Sequence, residues 1–209
     1  LPVVTETYDG YLNDLSQFAV KPEHIARGIE NASSDPVPEG NKGGGTAMIC
    51  HGYKGGNGSS SRIVPGMEPN SERSKNYAIG VLVQANYGRA RDLRIGGVPV
   101  GRLLQEQHGL SRVGGYGHNL SGDIFLAFST ANENLPGLEN VTTAFKPRPF
   151  SVDVLDDMTI NGLFEATADA TEEAIYNALC QAETMVGLDG HRVEALPLAQ
   201  VKNIMSKYL

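Results

Sequence analysis

The pattern of apolar and polar positions predicts strands that alternate with helices along the chain. Two apolar runs, GTAMICHGY (residues 45–53) and NYAIGVLVQANYG (76–88), each predict a strand. The second run is nearly continuous in aliphatic residues, which is typical of a strand buried on both faces. GDIFLAFST (122–130) predicts another buried strand, and FSVDVLDD (150–157) alternates as a half-buried strand does.

Helical spacing marks the remaining segments. Pro22 stands at a first helical position, and apolar residues at helical spacing follow it up to Ala32. LRIGGVPVGRLLQEQ (93–107) predicts a strand, a turn and a short helix, and LPLAQVKNIMSKYL (196–209) a short amphipathic helix. Residues 158–186 predict a helix with a break near Thr171. The apolar face of that helix is expected to hold Ile160, Leu163, Phe164 and Ala168, and to resume after the break with Ile175, Ala178 and Leu179. We expect one α/β (α+β) domain over residues 1–209, with helices packed outside strands.

Glycine is unusually frequent, with 25 residues gathered in clusters. The clusters are EGNKGGGTAM, GYKGGNGSSSR, RIGGVPVG and RVGGYGHNLSGD. Because glycine permits positive φ and close backbone approach, four such loops beside apolar strands predict a site on which they converge. Simple tight turns of a sheet explain any single cluster equally well.

Composition narrows the function classes. The net charge is −7 and no Lys/Arg cluster exists, so we expect no nucleic-acid partner. No apolar run approaches membrane-spanning length, and the first residues lack the pattern of a signal peptide. Two cysteines, Cys50 and Cys180, cannot build a disulfide scaffold, which predicts reduced thiols in the cytoplasm.

Standard site motifs are absent. The five histidines show no paired metal-ligand spacing, and there is neither a phosphate-binding P-loop nor a G-x-S-x-G elbow. GGYGHNLSG lacks the strand–helix context of a dinucleotide loop. We therefore expect no metal and no cofactor. The remaining hydroxyls, carboxylates and one strand-end amide suit acyl transfer.

Three stretches supply candidate residues for that chemistry. Asn86 ends an apolar strand, where its amide can donate to an oxyanion. Ser121 and Asp123 can orient a nearby amine or hydroxyl. Tyr8 or Tyr11, in ETYDGYLND, can supply a second donor. Taken one by one, the same residues fit a strand-end turn, loop caps and partly buried packing.

Together, ETYDGYLND, EGNKGGGTAMICHGYKGGNGSSSR, IGVLVQANYG and NLSGDIFLAFST resemble the self-processing aminopeptidases that include L-aminopeptidase/D-Ala-esterase/amidase and the β-aminopeptidases. The resemblance implies a four-layer αββα sandwich related to that of ornithine acetyltransferases. It implies a precursor that cuts itself once and exposes a serine whose own α-amine is the base. Substrates would be small peptides, amides or esters, and processed protomers would form a homo-oligomer, a tetramer.

Roles for four residues follow from the same resemblance. Asn86 would be an oxyanion donor and Tyr8 a second donor. Ser121 and Asp123 would position the amine of the nucleophile.

One departure from the family falls between Gln107 and His108. There the family has a strand led by Gly-Ser, with an ATDAPL-like sequence, and then a helix, whereas here the two residues adjoin. The family nucleophile is therefore expected to be missing from this chain. The family's N-terminal portion, which would precede LPVV, is expected to be missing as well. We expect a partial chain, in which the Cα atoms of these two residues lie much farther apart than the roughly 3.8 Å of a peptide bond.

Two alternative functions remain open. One is a catalytically inactive relative that acts in ligand binding or assembly, and the other is an acetyltransferase of the related fold. The best substitute nucleophile in the chain is Ser59, because a flexible Gly58–Ser59 bond suits an N→O acyl shift.

Overall fold

The structure, a computed structural model, describes residues 7–68, 72–107, 126–132 and 149–209. The helices in these ranges are α1 (Pro22–Glu30), α2 (Val100–Gln107), α3 (Asn161–Cys180) and α4 (Leu198–Met205). The strands are β1 (Ile49–Cys50), β2 (Tyr53–Lys54), β3 (Gly56–Met67), β4 (Ser74–Ala85), β5 (Met185–Val186) and β6 (Arg192–Val193). Within these ranges β1 pairs with β2, β3 with β4, and β5 with β6, so the strands form three two-stranded antiparallel sheets. Helices combined with antiparallel sheets agree with the expected α/β (α+β) class.

The long hairpin β3–β4 and helix α3 form the largest unit of the described structure. The two strands pair over twelve residues each, from Gly56↔Ala85 to Met67↔Ser74. α3 lies on one face of this hairpin, and its buried side is a row of alanines at every fourth position: Ala166, Ala170, Ala174 and Ala178. Small side chains let the helix approach the strands closely.

Gly58 shows how close this approach is. A Cβ atom added there would lie 1.8 Å from the carbonyl oxygen of Ala174. Glycine inside a strand often marks such a backbone contact. The cluster GYKGGNGSSSR was expected to be a loop, and this is wrong, because most of it is paired strand that needs glycine for helix packing rather than for a turn.

The turn between β1 and β2 does use positive φ. His51 (φ 51°) and Gly52 (φ 74°) are both left-handed and connect Cys50 to Tyr53. Two left-handed residues match the twist of a two-residue hairpin. The single strand predicted over 45–53 is therefore wrong: the segment is a 3₁₀ turn, Gly43–Gly45, followed by this short hairpin.

The main core gathers around the ends of α2, α3 and α4. Its buried members are Cys50, Ala85, Leu93, Val100, Leu104, Ala178, Leu179, Leu196, Val201 and Ile204. A smaller cluster joins Leu12, Ala47 and Val193. It packs the segment around Leu12 against the β1–β2 and β5–β6 hairpins, and Thr7 and Tyr8 lie beside the end of β4.

The predicted helices mostly form, but their faces differ from the expectation. The helix predicted over 158–186 is α3, but it ends at Cys180, and it runs through Thr171 without a break, with the Thr171 hydroxyl bonded to the carbonyl of Thr167. The expected apolar face is wrong in the first half of the helix, where Phe164 is 61% exposed, and confirmed in the second half, where Ala178 and Leu179 are buried. The helices predicted after Pro22, at the end of 93–107 and within 196–209 are confirmed as α1, α2 and α4, respectively.

Two predicted strands are absent from the described residues. Residues 126–132 and 149–156 contain no strand, and Phe128, Val154 and Phe150 are exposed. Within the described ranges the Asn132 side chain bonds to the main chain of Asp153, but no ladder of main-chain hydrogen bonds joins either segment to a neighbour, as a strand requires. β4 itself alternates between exposed and half-buried positions rather than being buried on both faces. The Gln107–His108 junction cannot be followed, since His108 lies outside the described residues.

Candidate active site

Asn86 directly follows β4, and both ends of its side-chain amide are bonded to main chain. Its Oδ1 atom accepts from the Ile49 N–H at 2.9 Å, and its Nδ2 atom donates to the Tyr8 carbonyl at 2.8 Å. The first partner can only donate and the second can only accept, so the amide can be oriented in one way. The side chain thereby joins three distant segments at the end of the sheet.

Tyr8 comes to this point through its main chain. Its side chain is 72% exposed and turns back over Gly10, where an added Cβ would lie 2.8 Å from the phenol oxygen. Tyr11, the other candidate, stacks on the ring of His191 with 4.3 Å between ring centres. Of the four predicted site residues, Tyr8 and Asn86 are brought together, while Ser121 and Asp123 lie outside the described residues.

A small polar layer continues beside Asn86 on the same side of β4. Gln84 donates to the hydroxyl of Thr7, which in turn contacts the sulfur of Met48 at 3.0 Å. The Gln84 side chain lies against Gly44, where a Cβ would meet its Oε1 at 2.4 Å. The first glycine cluster thus leaves room for this layer. The expected convergence of all four glycine loops stays a prediction, because the cluster RVGGYGHNLSGD lies outside the described residues.

Lys54 is the feature of this region that sequence reasoning missed. It is fully buried, and its Nζ donates to the carbonyls of Gly45 (3.1 Å), Met48 (3.0 Å) and Gly55 (2.7 Å). Burial lowers the pKa of this ammonium from 10.5 to about 8. A lysine between apolar strands with glycines at both sides was the available signal, because glycine-rich turns expose carbonyls that an ammonium can gather.

Ser59 lies in the middle of β3, opposite Leu82, and not in a loop. Its N–H and its hydroxyl both donate to the Glu39 carboxylate, at 2.8 and 2.9 Å, and its carbonyl accepts from Asn177. The Gly58–Ser59 bond therefore lies in a paired strand, and the expectation that its flexibility suits Ser59 as a substitute nucleophile is wrong.

An open cleft of about 420 Å³ lies between the β1–β2 hairpin and the residues of β6, and Asn86 does not line it. Its walls include Tyr11, Ile49, Tyr53 and Arg192, so Ile49 is shared between the cleft and the Asn86 hydrogen bond. Arg192 is held at the rim by Glu194, with 2.5 Å between Nε and Oε1.

The described part of the chain holds no cluster of three or more His, Cys, Asp or Glu side chains suited to a metal. None of its helices combines the length and apolar character needed to cross a bilayer.

Comparison with known sequences identifies relatives over nearly the whole chain. The sequence profile of Peptidase family S58 matches residues 1–108 and, in a second segment, residues 105–193. The β-peptidyl aminopeptidase BapA of Sphingosinicella microcystinivorans is 37% identical over 255 residues, which cover 99% of this chain and 61% of that protein. This alignment is longer than the 209 residues of the chain, so the relative carries internal residues that have no counterpart here.

Solved structures match at a similar level. The L-aminopeptidase D-Ala-esterase/amidase of Ochrobactrum anthropi, described as a new variant of the Ntn hydrolase fold, superposes with a TM-score of 0.79 at 35% identity. A β-aminopeptidase of Burkholderia sp. gives 0.80 at 36% identity. Each match covers 97% of this chain, and 62% and 63% of those chains respectively. The chain thus spans about three fifths of the length of the relatives it matches.

Proposed function

Because the chain belongs to Peptidase family S58, we propose that it forms part of an aminopeptidase that releases N-terminal residues from small peptides, amides or esters. The observation that carries this proposal is the end-to-end similarity to enzymes named as aminopeptidases, at 35–37% identity. The site residues below are proposed on that basis, together with the geometry around Asn86.

In this proposal Asn86 stabilises the oxyanion. One Nδ2 hydrogen is engaged by the Tyr8 carbonyl, and an amide nitrogen carries two hydrogens, so the second is the donor to the substrate. A side chain held by main-chain bonds at both ends needs no reorganisation when charge develops, which is what oxyanion stabilisation requires. Tyr8 would supply a second donor through its phenol.

The nucleophile is proposed to come from residues outside this chain. A serine hydroxyl would attack the substrate carbonyl, its proton passing to the serine's own α-amine, and the leaving amine would depart with that proton. Water would then hydrolyse the ester. Ser121 and Asp123 would hold the α-amine, which autoproteolysis creates. Two profile matches that meet at residues 105–108, with an alignment longer than the chain, support a partial chain interrupted near Gln107.

The complete fold is proposed to be a four-layer αββα sandwich in one domain. α3 covers one face of the β3–β4 hairpin, and the opposite face exposes Ile63, Met67 and Leu82 by 62–64% each. In a sandwich this second face would pack on another sheet. We further propose a homo-oligomer of processed protomers, a tetramer, in the cytoplasm, to which the two free cysteines are suited.

A second candidate function is an inactive relative that binds ligands or serves in assembly. The observation that favours it is the direct Gln107–His108 junction, which leaves no counterpart of the family's Gly-Ser-led strand. An acetyltransferase of the related fold is a weaker third reading.

An activity assay on the product of the complete gene separates these candidates. We expect release of the N-terminal residue from peptide, amide and ester substrates, including a β-peptide, and no release once the substrate amine is acetylated. Hydrolysis that is indifferent to acetylation would contradict an aminopeptidase. Binding without turnover would favour the inactive relative, and transfer to an added amine acceptor without net hydrolysis the acetyltransferase.

A further inference from the structure

The buried ammonium of Lys54 lies one peptide unit away from Asn86. The Met48 carbonyl accepts from the Lys54 Nζ at 3.0 Å, and from the Gly55 N–H at 2.8 Å. The same Met48–Ile49 peptide presents its N–H to the Oδ1 atom of Asn86 at 2.9 Å. A cation and a side-chain amide are therefore bonded to opposite ends of one planar group.

This arrangement has an electronic and a geometric consequence. A positive charge at a carbonyl oxygen draws electron density across the peptide, which makes its N–H a stronger donor. Chains of hydrogen bonds polarise one another in this way inside proteins. A stronger bond to Oδ1 in turn makes the Nδ2 hydrogens of Asn86 better donors. The three carbonyls gathered by Lys54 also fix where the peptide lies.

We propose that Lys54 is a positioning residue for Asn86, acting through the Met48–Ile49 peptide to orient its amide and to strengthen it as an oxyanion donor. This inference rests on the proposed role of Asn86. Within the part of the chain that the structure describes, the Lys54 ammonium is buried without a carboxylate partner, and its three main-chain carbonyl contacts offset part of the cost of burying the charge. A structural tie alone could be made by a neutral side chain.

None of the described ionisable groups forms an ion pair with Lys54. Directly after β6, the main-chain carbonyl of Glu194 accepts from the Lys54 N–H, while the Glu194 carboxylate accepts from Arg192 and Thr184. On the hairpin that contains Lys54, burial raises the pKa of the Cys50 thiol to about 12 and that of the Tyr53 phenol above 10.

The other ionisable groups nearby are His51 and Lys42. His51 stands in the β1–β2 turn, with its Nδ1 at 3.1 Å from the Arg89 carbonyl. Lys42, just before the 3₁₀ turn, is exposed.

A double-mutant cycle in the product of the complete gene tests the proposal. Lys54→Met should lower kcat roughly tenfold, since it weakens but keeps the Asn86 donor, and should leave KM within about twofold. In an Asn86→Ala background the same change should lower kcat by less than about twofold, because its target is gone. Lys42→Met, the same chemical change at an exposed lysine of the same loop, should have no effect.

The outcomes separate this inference from the proposed function. An equal loss of kcat from Lys54→Met in both backgrounds would mean that Lys54 supports the fold generally, and would overturn the inference alone. A normal kcat in Asn86→Ala would reject the oxyanion role, and the inference with it.

A spectroscopic measurement decides the matter where Lys54→Met does not fold or the protein lacks turnover. In protein labelled with ¹⁵N-asparagine, the side-chain resonance of Asn86 is identified by its loss in Asn86→Ala. We expect its protons to move to lower chemical shift as Lys54 deprotonates, with an apparent pKa of about 8. The uncleaved precursor is used, because a serine α-amine at the site would also titrate near pH 8.

His51→Gln is the control for the neighbouring imidazole and should leave this titration in place. A shift that persists unchanged from pH 6.5 to 10, or one that disappears in His51→Gln, would overturn the inference.

Discussion

Asn86 carries two hydrogen bonds to the main chain and, in the proposed mechanism, a third to the substrate. Its removal therefore affects stability as well as rate. The Ile49 N–H would lose its partner, at a cost of about 1–3 kcal/mol for a partly buried donor. The effect on kcat must be measured where the variant remains fully folded.

We expect Asn86→Ala to lower kcat by about 10²–10³-fold at a temperature well below its unfolding midpoint, which is the usual effect of removing one oxyanion donor. Asn76→Ala, an exposed position at the far end of β4, is the matched control and should leave kcat unchanged. Wild-type kcat in a folded Asn86→Ala protein would make Asn86 a purely structural residue.

Asp123 is proposed to hold the α-amine of the nucleophile. Asp123→Asn keeps the size and removes the charge, so self-cleavage should slow and the pH–rate profile should shift, with the oligomeric state unchanged. Asp35→Asn, an exposed carboxylate near α1, is the control. Normal processing together with an unmoved profile would rule out the role.

Lys54 also predicts how stability depends on pH. Its pKa is about 8 in the folded protein and 10.5 ordinarily, so between these values the unfolded chain binds more protons. The contribution of Lys54 to stability therefore rises from pH 8 to pH 10.5, by at most about 1.4 kcal/mol per pH unit. Cys50 and Tyr53 oppose this, because burial raises their pKa values.

The comparison with Lys54→Met isolates the lysine from those opposing groups. Urea unfolding at pH 7, 8, 9 and 10 should show wild type gaining stability relative to the variant above pH 8. A difference that is constant over this range would mean that the ammonium is not desolvated in the fold.

At the scale of the element, the contact between β3 and α3 depends on one glycine. Gly58→Ala places a methyl group 1.8 Å from the Ala174 carbonyl, so the helix must move away from the sheet. We expect a loss of about 3 kcal/mol or more in the free energy of unfolding, at the upper end of overpacking effects.

Gly80→Ala is the matched control on the same hairpin, since a Cβ there meets nothing within 4 Å. It should be neutral or slightly stabilising, by up to about 1 kcal/mol, because alanine restricts the unfolded chain. Equal urea midpoints for the two variants would contradict the packing described here.

The elements show which parts of the fold can be predicted from sequence. β4, α1, α2 and α4 follow from apolar periodicity and from Pro22, because their signals are local. The four alanines on α3 were not predicted to form one buried row, although Ala178 was expected on the apolar face, because alanine is only weakly apolar. Here its small size decides which side of the helix faces the sheet. The strand β3 was taken for a loop because its glycines serve a contact with a helix about 115 residues later, which no local pattern reveals.

The site residues likewise divide into those that a local sequence pattern marks and those that only the packing brings together. Asn86 was singled out from its place after an apolar strand, and Tyr8 as a second donor from the resemblance to a family, whereas the contact of Asn86 with the main-chain carbonyl of Tyr8 was not predicted. Lys54 was missed: its flanking glycines were a signal, but its three carbonyl partners are brought together only by the packing of the 3₁₀ turn and the β1–β2 hairpin.

At the scale of the whole molecule, the proposed sandwich requires residues that this chain does not contain. The exposed face of β3–β4 and the two segments without strand pairing, 126–132 and 149–156, are apolar surfaces that a sandwich would cover. Several hundred Å² of apolar surface is worth on the order of 10 kcal/mol at about 25 cal/mol per Å². That amount is comparable to the stability of a typical domain.

The most direct test of the central claim, an autoproteolytically activated serine aminopeptidase, is the intact mass of the freshly expressed product of the complete gene, followed over time and combined with N-terminal sequencing. We predict that one precursor converts into two polypeptides that stay associated, and that the new N-terminus is a serine located between the residues corresponding to Gln107 and His108. A single polypeptide that remains uncut, with Gln107 and His108 joined directly, would contradict the account and identify the protein as an inactive relative.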